Sequence, residues 1–150
     1  MQDRGRVSIP AHMGVPPGSF SAAISVLEAG VTAVVPIAGK GRGVVAVRRI
    51  VRGELIETAP VVVVPAGQMT QIDGTVLEHY VYDWADGLAV ALGNGSIYNH
   101  SYAPNAIYAR RFEAHALEYT ALRDIEEGEE ILINYNGCPD DRTPLWFTVL

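Results

Sequence analysis

Gly93-Asn94-Gly95-Ser96-Ile97-Tyr98-Asn99-His100-Ser101-Tyr102-Ala103-Pro104-Asn105 is the stretch on which the reading of this chain turns. Asn99 and His100 bring three or four hydrogen-bonding groups into a segment flanked by apolar residues, and buried amides and imidazoles must find partners. Taken alone, an Asn-His pair between Tyr98 and Pro104 reads as the cap of a turn. Two other segments change that reading. Upstream, Gly39-Lys40-Gly41-Arg42-Gly43 stands before a strand-like run. Three glycines in five residues raise the entropy cost of ordering, so they are there to let the backbone take unusual φ and approach a ligand closely. No helical pattern follows them, which disfavours a phosphate loop or a dinucleotide fingerprint, since both need a helix N-terminus. Downstream, Gly128-Glu129-Glu130-Ile131-Leu132-Ile133-Asn134-Tyr135-Asn136 is an apolar strand that turns polar at Tyr135. That placement buries a ring while its hydroxyl reaches a cavity.

The rest of the chain has the texture of a mostly β protein. Short apolar or alternating runs, Thr32 to Ile37, Val44 to Val47, Leu55 to Val64, Leu88 to Leu92, Ala106 to Arg110, Leu117 to Leu122 and Ile131 to Tyr135, are separated by turns that contain glycine. Val61-Val62-Val63-Val64 reads as a strand buried on both faces or lying at a sheet junction. Thr75-Val76-Leu77-Glu78 has the form of a capping box, with Thr75 accepting from the Glu78 amide, and marks a helix of one or two turns. The state of Tyr80 to Trp84 stays open between a helix and an extended edge. Ala46 to Ile56 is echoed by Ala121 to Ile131 at an offset of about 75 residues, which predicts two similar β corners packed together. The first thirty residues, with Pro10, Gly14, Pro16, Pro17 and Gly18, read as an N-terminal arm, leaving 31–150 as one domain.

Composition narrows the function. The 150 residues carry a formal charge of −6, so no global positive field holds a phosphate backbone, and no nucleic acid is expected. The single cysteine, Cys138, excludes an intrachain disulfide and any site that needs two thiolates, and it points to a reducing, cytoplasmic setting. The apolar stretch Ser21 to Ala38 is broken by Glu28, Gly30 and Pro36, so neither a membrane span nor a signal is expected. His12, His79, His100 and His115 lack metal-ligand spacing. Ser101 lacks a nucleophile elbow.

Asn-His-Ser followed by Pro-Asn, then by Gly-Glu-Glu-Ile and an Asn-Tyr, and preceded by Gly-Arg-Gly-Val, resembles the ordered signature of SET-domain lysine methyltransferases from about Ala33 to Phe147. The texture, with Leu92-Gly93 and Trp146-Phe147, is similar to the short stand-alone bacterial members. The resemblance implies a β-clip fold of several small sheets, with a threaded, pseudoknot-like C-terminal crossing and one or two short helices. It implies S-adenosylmethionine as methyl donor. Lys40, Gly41, Arg42 and Gly43 would meet its methionine part and Asn99 and His100 its adenosyl part; Tyr98 counts among the cofactor-binding residues and, with Tyr108 and Tyr135, as a candidate wall of an apolar lysine channel. Asn105 would brace the crossing, and Tyr135 would stand beside the transferring methyl. Tyr108 falls where Tyr or Phe influences how many methyl groups are added, and a hydroxyl there predicts mono-methylation.

The chain departs from the family pattern at Val45, where an aromatic is common, and at Tyr102, often cysteine. The cysteines of a zinc segment are missing, so no zinc is expected, and Trp146 and Phe147 become candidates for the wall it would have supplied. A second copy in a homodimer is another way to complete the site. The expected partner is a protein or peptide lysine, with a basic sequence favoured by the acidic chain. The rival reading is a non-catalytic β module of the same architecture that acts as a protein-binding scaffold.

Overall fold

The protein, described over residues 27–149 by a computed structural model, is built from three small sheets around one core. The arm expected over residues 1–30 lies outside the described residues apart from its last four. In chain order the strands are β1 (Leu27–Ala29), β2 (Thr32–Ile37), β3 (Gly41–Ala46), β4 (Leu55–Val64), β5 (Val81–Trp84), β6 (Gly87–Ala91), β7 (Asn99–His100), β8 (Ala106–Arg111), β9 (Ala116–Ala121) and β10 (Leu132–Ile133). Two 3-10 helices, Ala66–Gln71 and Val76–His79, separate β4 from β5. β1, β2 and β3 form an antiparallel meander; β5-β6-β4-β9-β8 form the five-stranded sheet; β7 and β10 pair in parallel. The segment Tyr80 to Trp84 settles as the edge strand β5, where Trp84 is buried and Asp83 is exposed.

The valine run sits at a sheet junction, but it is not buried on both faces: Val62 is 53% exposed and Val63 37%. β4 changes partners along its length, pairing Leu55 to Pro60 with β9 and Val61 to Val64 with β6. The β9 ladder stops near Pro60 because β9 itself begins at its partner Ala116; beyond it the Val61 amide still reaches the His115 carbonyl at 2.8 Å, and each half of β4 is paired along one edge only. The capping box also differs in detail. Thr75 Oγ1 accepts from the Leu77 amide at 3.2 Å, and the Glu78 carboxylate takes the Gly74 amide at 2.6 Å, because a 3-10 turn is tighter than the α turn the motif presumes.

The two β corners pack together as expected. Ile50 and Ile125, both fully buried, exchange backbone bonds of 2.9 Å in each direction. Gly53 (φ 83°) and Gly128 (φ 80°) turn the chain where other residues would be strained. At equivalent places Glu54 holds Arg48 and the Val51 amide, and Glu129 holds Arg123 and the Glu126 amide. The second corner then delivers Glu130 against Val45 of β3 and Leu132 against Asn99 of β7. This exchange of partners shortens the expected strand from Ile131 to Tyr135 into the two residues of β10. Asn105, 1% exposed, braces the crossing. Its Nδ2 donates to the Glu130 carbonyl at 2.8 Å and its Oδ1 accepts the Leu132 amide at 2.8 Å. On the other side of the Asn-His segment, the Tyr102 carbonyl accepts from Arg142 and the Tyr102 hydroxyl donates to the Thr143 carbonyl at 3.1 Å. The segment is thus bonded on both flanks by the C-terminal chain.

Candidate active site

Three adjoining cavities share the region around Tyr135: one lies against β5, β8 and the second 3-10 helix, and two lie between the β2–β3 turn, β7 and the C-terminal segment. One, about 250 Å³, has Tyr82, Tyr98, Tyr108 and Tyr135 among its walls and Glu78, Asp83 and Arg110 among its polar lining. The second, about 610 Å³, is lined by Lys40, Gly41, Arg42, Asn99, Trp146 and Phe147 among others. The third, about 230 Å³, is bordered by Gly39, Lys40, Asn99, His100 and Phe147. Tyr135 lines all three.

β10 ends just before Tyr135 and places it at this junction. Its backbone N–H donates to His100 Nδ1 at 3.1 Å, and its hydroxyl donates to the Tyr98 carbonyl at 2.8 Å. Burial pushes the Tyr135 phenol up to about 12, so it stays protonated. Tyr108, 6% exposed, meets Tyr82 edge-on at 5.1 Å and carries the Arg110 guanidinium 5.3 Å from its ring centroid. Burial likewise raises its pKa.

The glycine-rich turn is tied to the Asn-His strand through one carboxylate. Glu130 accepts Lys40 Nζ at 2.9 Å and Asn99 Nδ2 at 2.8 Å, and Asn99 Nδ2 also donates to the Arg42 carbonyl at 2.9 Å. Gly43 is required by this closeness, since a Cβ there would come 2.7 Å from Glu130 Oε1 and 2.8 Å from Asn99 Nδ2. The C-terminal aromatics close the other side. Phe147 meets His100 and Tyr135 at ring separations of 6.2 and 6.1 Å, and Trp146, 67% exposed, stacks towards His79 at 6.5 Å.

The SET domain family matches residues 41–136, a span that contains the glycine-rich strand, the Asn-His strand, Tyr108 and Tyr135. The chain belongs to the SET-domain family. It is 36% identical over 110 residues to a Schizosaccharomyces pombe histone-lysine N-methyltransferase described as H3 lysine-37 specific, with 72% of this chain and 71% of that protein covered. The solved structure of a candidate histone methyltransferase from Plasmodium falciparum superposes with a TM-score of 0.61 at 26% identity, over 72% of this chain and 95% of that one. A chain of the ctPRC2 complex shares the fold at a TM-score of 0.61 and 20% identity, over 72% of this chain and 15% of that chain. This SET domain is a protein-lysine methyltransferase, and SET-domain methyltransferases take their methyl group from S-adenosylmethionine.

The residues of this SET domain fit that donor. His100, 5% exposed, accepts at Nδ1, so its proton sits on Nε2, and this buried donor has no protein acceptor among the described residues. It belongs to a residue that borders the third cavity, where an adenosyl group would offer acceptors. Burial holds the His100 pKa below the ordinary imidazole value, which keeps this tautomeric arrangement at neutral pH.

Of the residues singled out from sequence, Lys40, Gly41, Arg42, Asn99 and Trp146 line the second cavity, and Lys40, Asn99 and His100 border the third. Gly43 lies behind them as a packing point. Tyr98 stands apart from this group: it is among the residues that line the tyrosine cavity, and its hydroxyl donates to Glu57 at 2.8 Å. The sequence leaves the aromatics of Tyr80 to Trp84 between core and site wall, with core favoured, and Tyr82 lines the tyrosine cavity; Glu130 enters the sequence only within the Gly-Glu-Glu motif, and Glu57 is not singled out there. Glu130 carried a signal, being the second acid of Gly-Glu-Glu, whereas Glu57 had none, because nothing in an isolated strand shows which loop crosses it.

Proposed function

We propose that this SET domain methylates the side-chain amine of a lysine in a basic protein segment, with the donor along the two cavities beside Asn99 and the lysine in the tyrosine cavity. The observation that carries this reading is Tyr135, which borders all three cavities with its hydroxyl anchored on the Tyr98 carbonyl. S-adenosylmethionine, when bound, supplies a sulfonium methyl open to attack by a neutral amine.

Lysine has an unperturbed pKa of about 10.4 and must lose its proton first. A channel lined by four tyrosines favours the neutral amine by desolvation. The phenols of Tyr82, Tyr98, Tyr108 and Tyr135 are all raised by burial, so no phenolate serves as base, and the proton leaves to water at the mouth. The chain then contributes alignment: proximity of this kind is worth up to about 7 to 11 kcal/mol in model systems. The hydroxyl of Tyr108 limits room beside the amine, which supports mono-methylation. The formal charge of −6 and the acids Glu78 and Asp83 on the tyrosine cavity support a basic substrate segment, as does the histone named for the Schizosaccharomyces pombe relative.

The test is transfer of labelled methyl from S-adenosylmethionine into proteins of a lysate or into a histone-type basic peptide. Tyr135→Phe should lower the rate by roughly a hundredfold, the cost of misplaced reacting groups. Mass spectrometry should show one methyl per lysine, and a second with Tyr108→Phe. No transfer together with no calorimetric binding of the donor would sink the proposal.

A further inference from the structure

Glu57 lies in the half of β4 that pairs with β9 alone, and both of its carboxylate oxygens serve the loop that leads into the Asn-His strand. Oε1 accepts the Asn94 amide at 2.9 Å, and Oε2 accepts the Tyr98 hydroxyl at 2.8 Å. The pairing with β9 slips between Leu55 and Glu57, a bulge that buries Ile56 and re-aims its neighbour. Among the described residues Glu57 enters no ion pair. A half-buried carboxylate is costly unless bonded, and these two bonds are what this one makes.

Tyr98 links that carboxylate to the site. It is 2% exposed, its ring packs on Tyr119 at 4.6 Å, and its carbonyl accepts the Tyr135 hydroxyl at 2.8 Å. Burial and the adjacent Glu57 carboxylate push its phenol well above the ordinary value, so it remains the donor of the pair. The two ends of one residue are therefore held by Glu57 and by Tyr135. The loop has other anchors, since the Gly95 carbonyl accepts Tyr82 at 2.6 Å and Ser96 donates to the Ala91 carbonyl at 3.0 Å. Loss of Glu57 alone leaves those in place.

We propose that Glu57 is a positioning residue for methyl transfer: through Tyr98 it sets the carbonyl that orients the Tyr135 hydroxyl where the three cavities meet. This rests on the reading of Tyr135 given above.

Steady-state methyl transfer by Glu57→Leu, Glu57→Gln and Tyr98→Phe, each alone and combined with Tyr135→Phe, tests it. Glu57→Leu removes both bonds and should lower kcat by about tenfold to a hundredfold, as small misplacements near the chemistry do, with little change in KM for the donor. Glu57→Gln recovers most of this, because its amide oxygen can accept from Asn94 while its NH2 donates to the Tyr98 oxygen. In the Tyr135→Phe background, Glu57→Leu should add less than about twofold, since the carbonyl then has no hydroxyl to orient. An unchanged kcat in Glu57→Leu, a Glu57→Gln enzyme as slow as Glu57→Leu, or a full additional loss on top of Tyr135→Phe would each overturn the role of Glu57. If Glu57→Leu fails to fold by near-UV circular dichroism, Tyr98→Phe cuts the same link, and its loss must show the same dependence on Tyr135. A Tyr135→Phe enzyme as fast as wild type would instead defeat the reading of Tyr135 itself.

Discussion

Two kinds of residue build this site: tyrosines that keep their protons, and glycines that admit close neighbours. The tyrosines act as fixed donors, and the bond from Tyr135 to the Tyr98 carbonyl is one example. Gly95 shows the second kind. A Cβ there would stand 2.6 Å from the Ala91 Cβ and 3.0 Å from the Ala59 Cβ, both fixed to the backbone, and 3.1 Å from the hydroxyl of the fully buried Tyr119. Gly95→Ala should therefore destabilise the fold by about 1–3 kcal/mol, the usual cost of overpacking, read as a lower urea midpoint at unchanged slope. Asn99, His100 and Tyr135 were legible in sequence because each sits in a contiguous polar break within an apolar run. Glu57 was not, because its partners stand 37 and 41 residues away.

Among elements, the paired β corners hold the crossing in register. Glu129 belongs to the second corner and also accepts Asn105 Nδ2 at 3.1 Å, so it joins the corner to the brace. The hydrogen bond from Arg123 holds its carboxyl down to about 2 from an ordinary 4.5. The unfolded chain therefore binds more protons than the folded one between those values. The stabilisation is fully present above pH 4.5 and is lost as pH falls towards about 2. Urea midpoints across that window should fall with acid, and Arg123→Ala should flatten the fall. The corners were visible in sequence as an echo, since Gly and Glu recur at the same offset. The shortness of β10 was not, because a strand that trades one partner for another looks the same in sequence as one that keeps a single partner.

For the whole molecule, charge bears on encounter with substrate. With a formal charge of −6, the KM for a basic peptide should rise with salt while kcat stays nearly constant, because screening acts on association between separated charges. A KM independent of ionic strength would argue against a basic target. By itself the sequence determined the fold class, the family and the order of the site segments. Period-two apolar runs, turn glycines and buried polar motifs are local properties that survive in one dimension. Only the tertiary structure decided that Tyr135 borders three cavities, that Trp146 and Phe147 each wall two of them, and that Tyr98 turns its hydroxyl to Glu57 instead of the cofactor loop. Those outcomes depend on which distant strands become neighbours, and hydrogen-bond geometry, not residue type, selects among the partners that packing brings within reach.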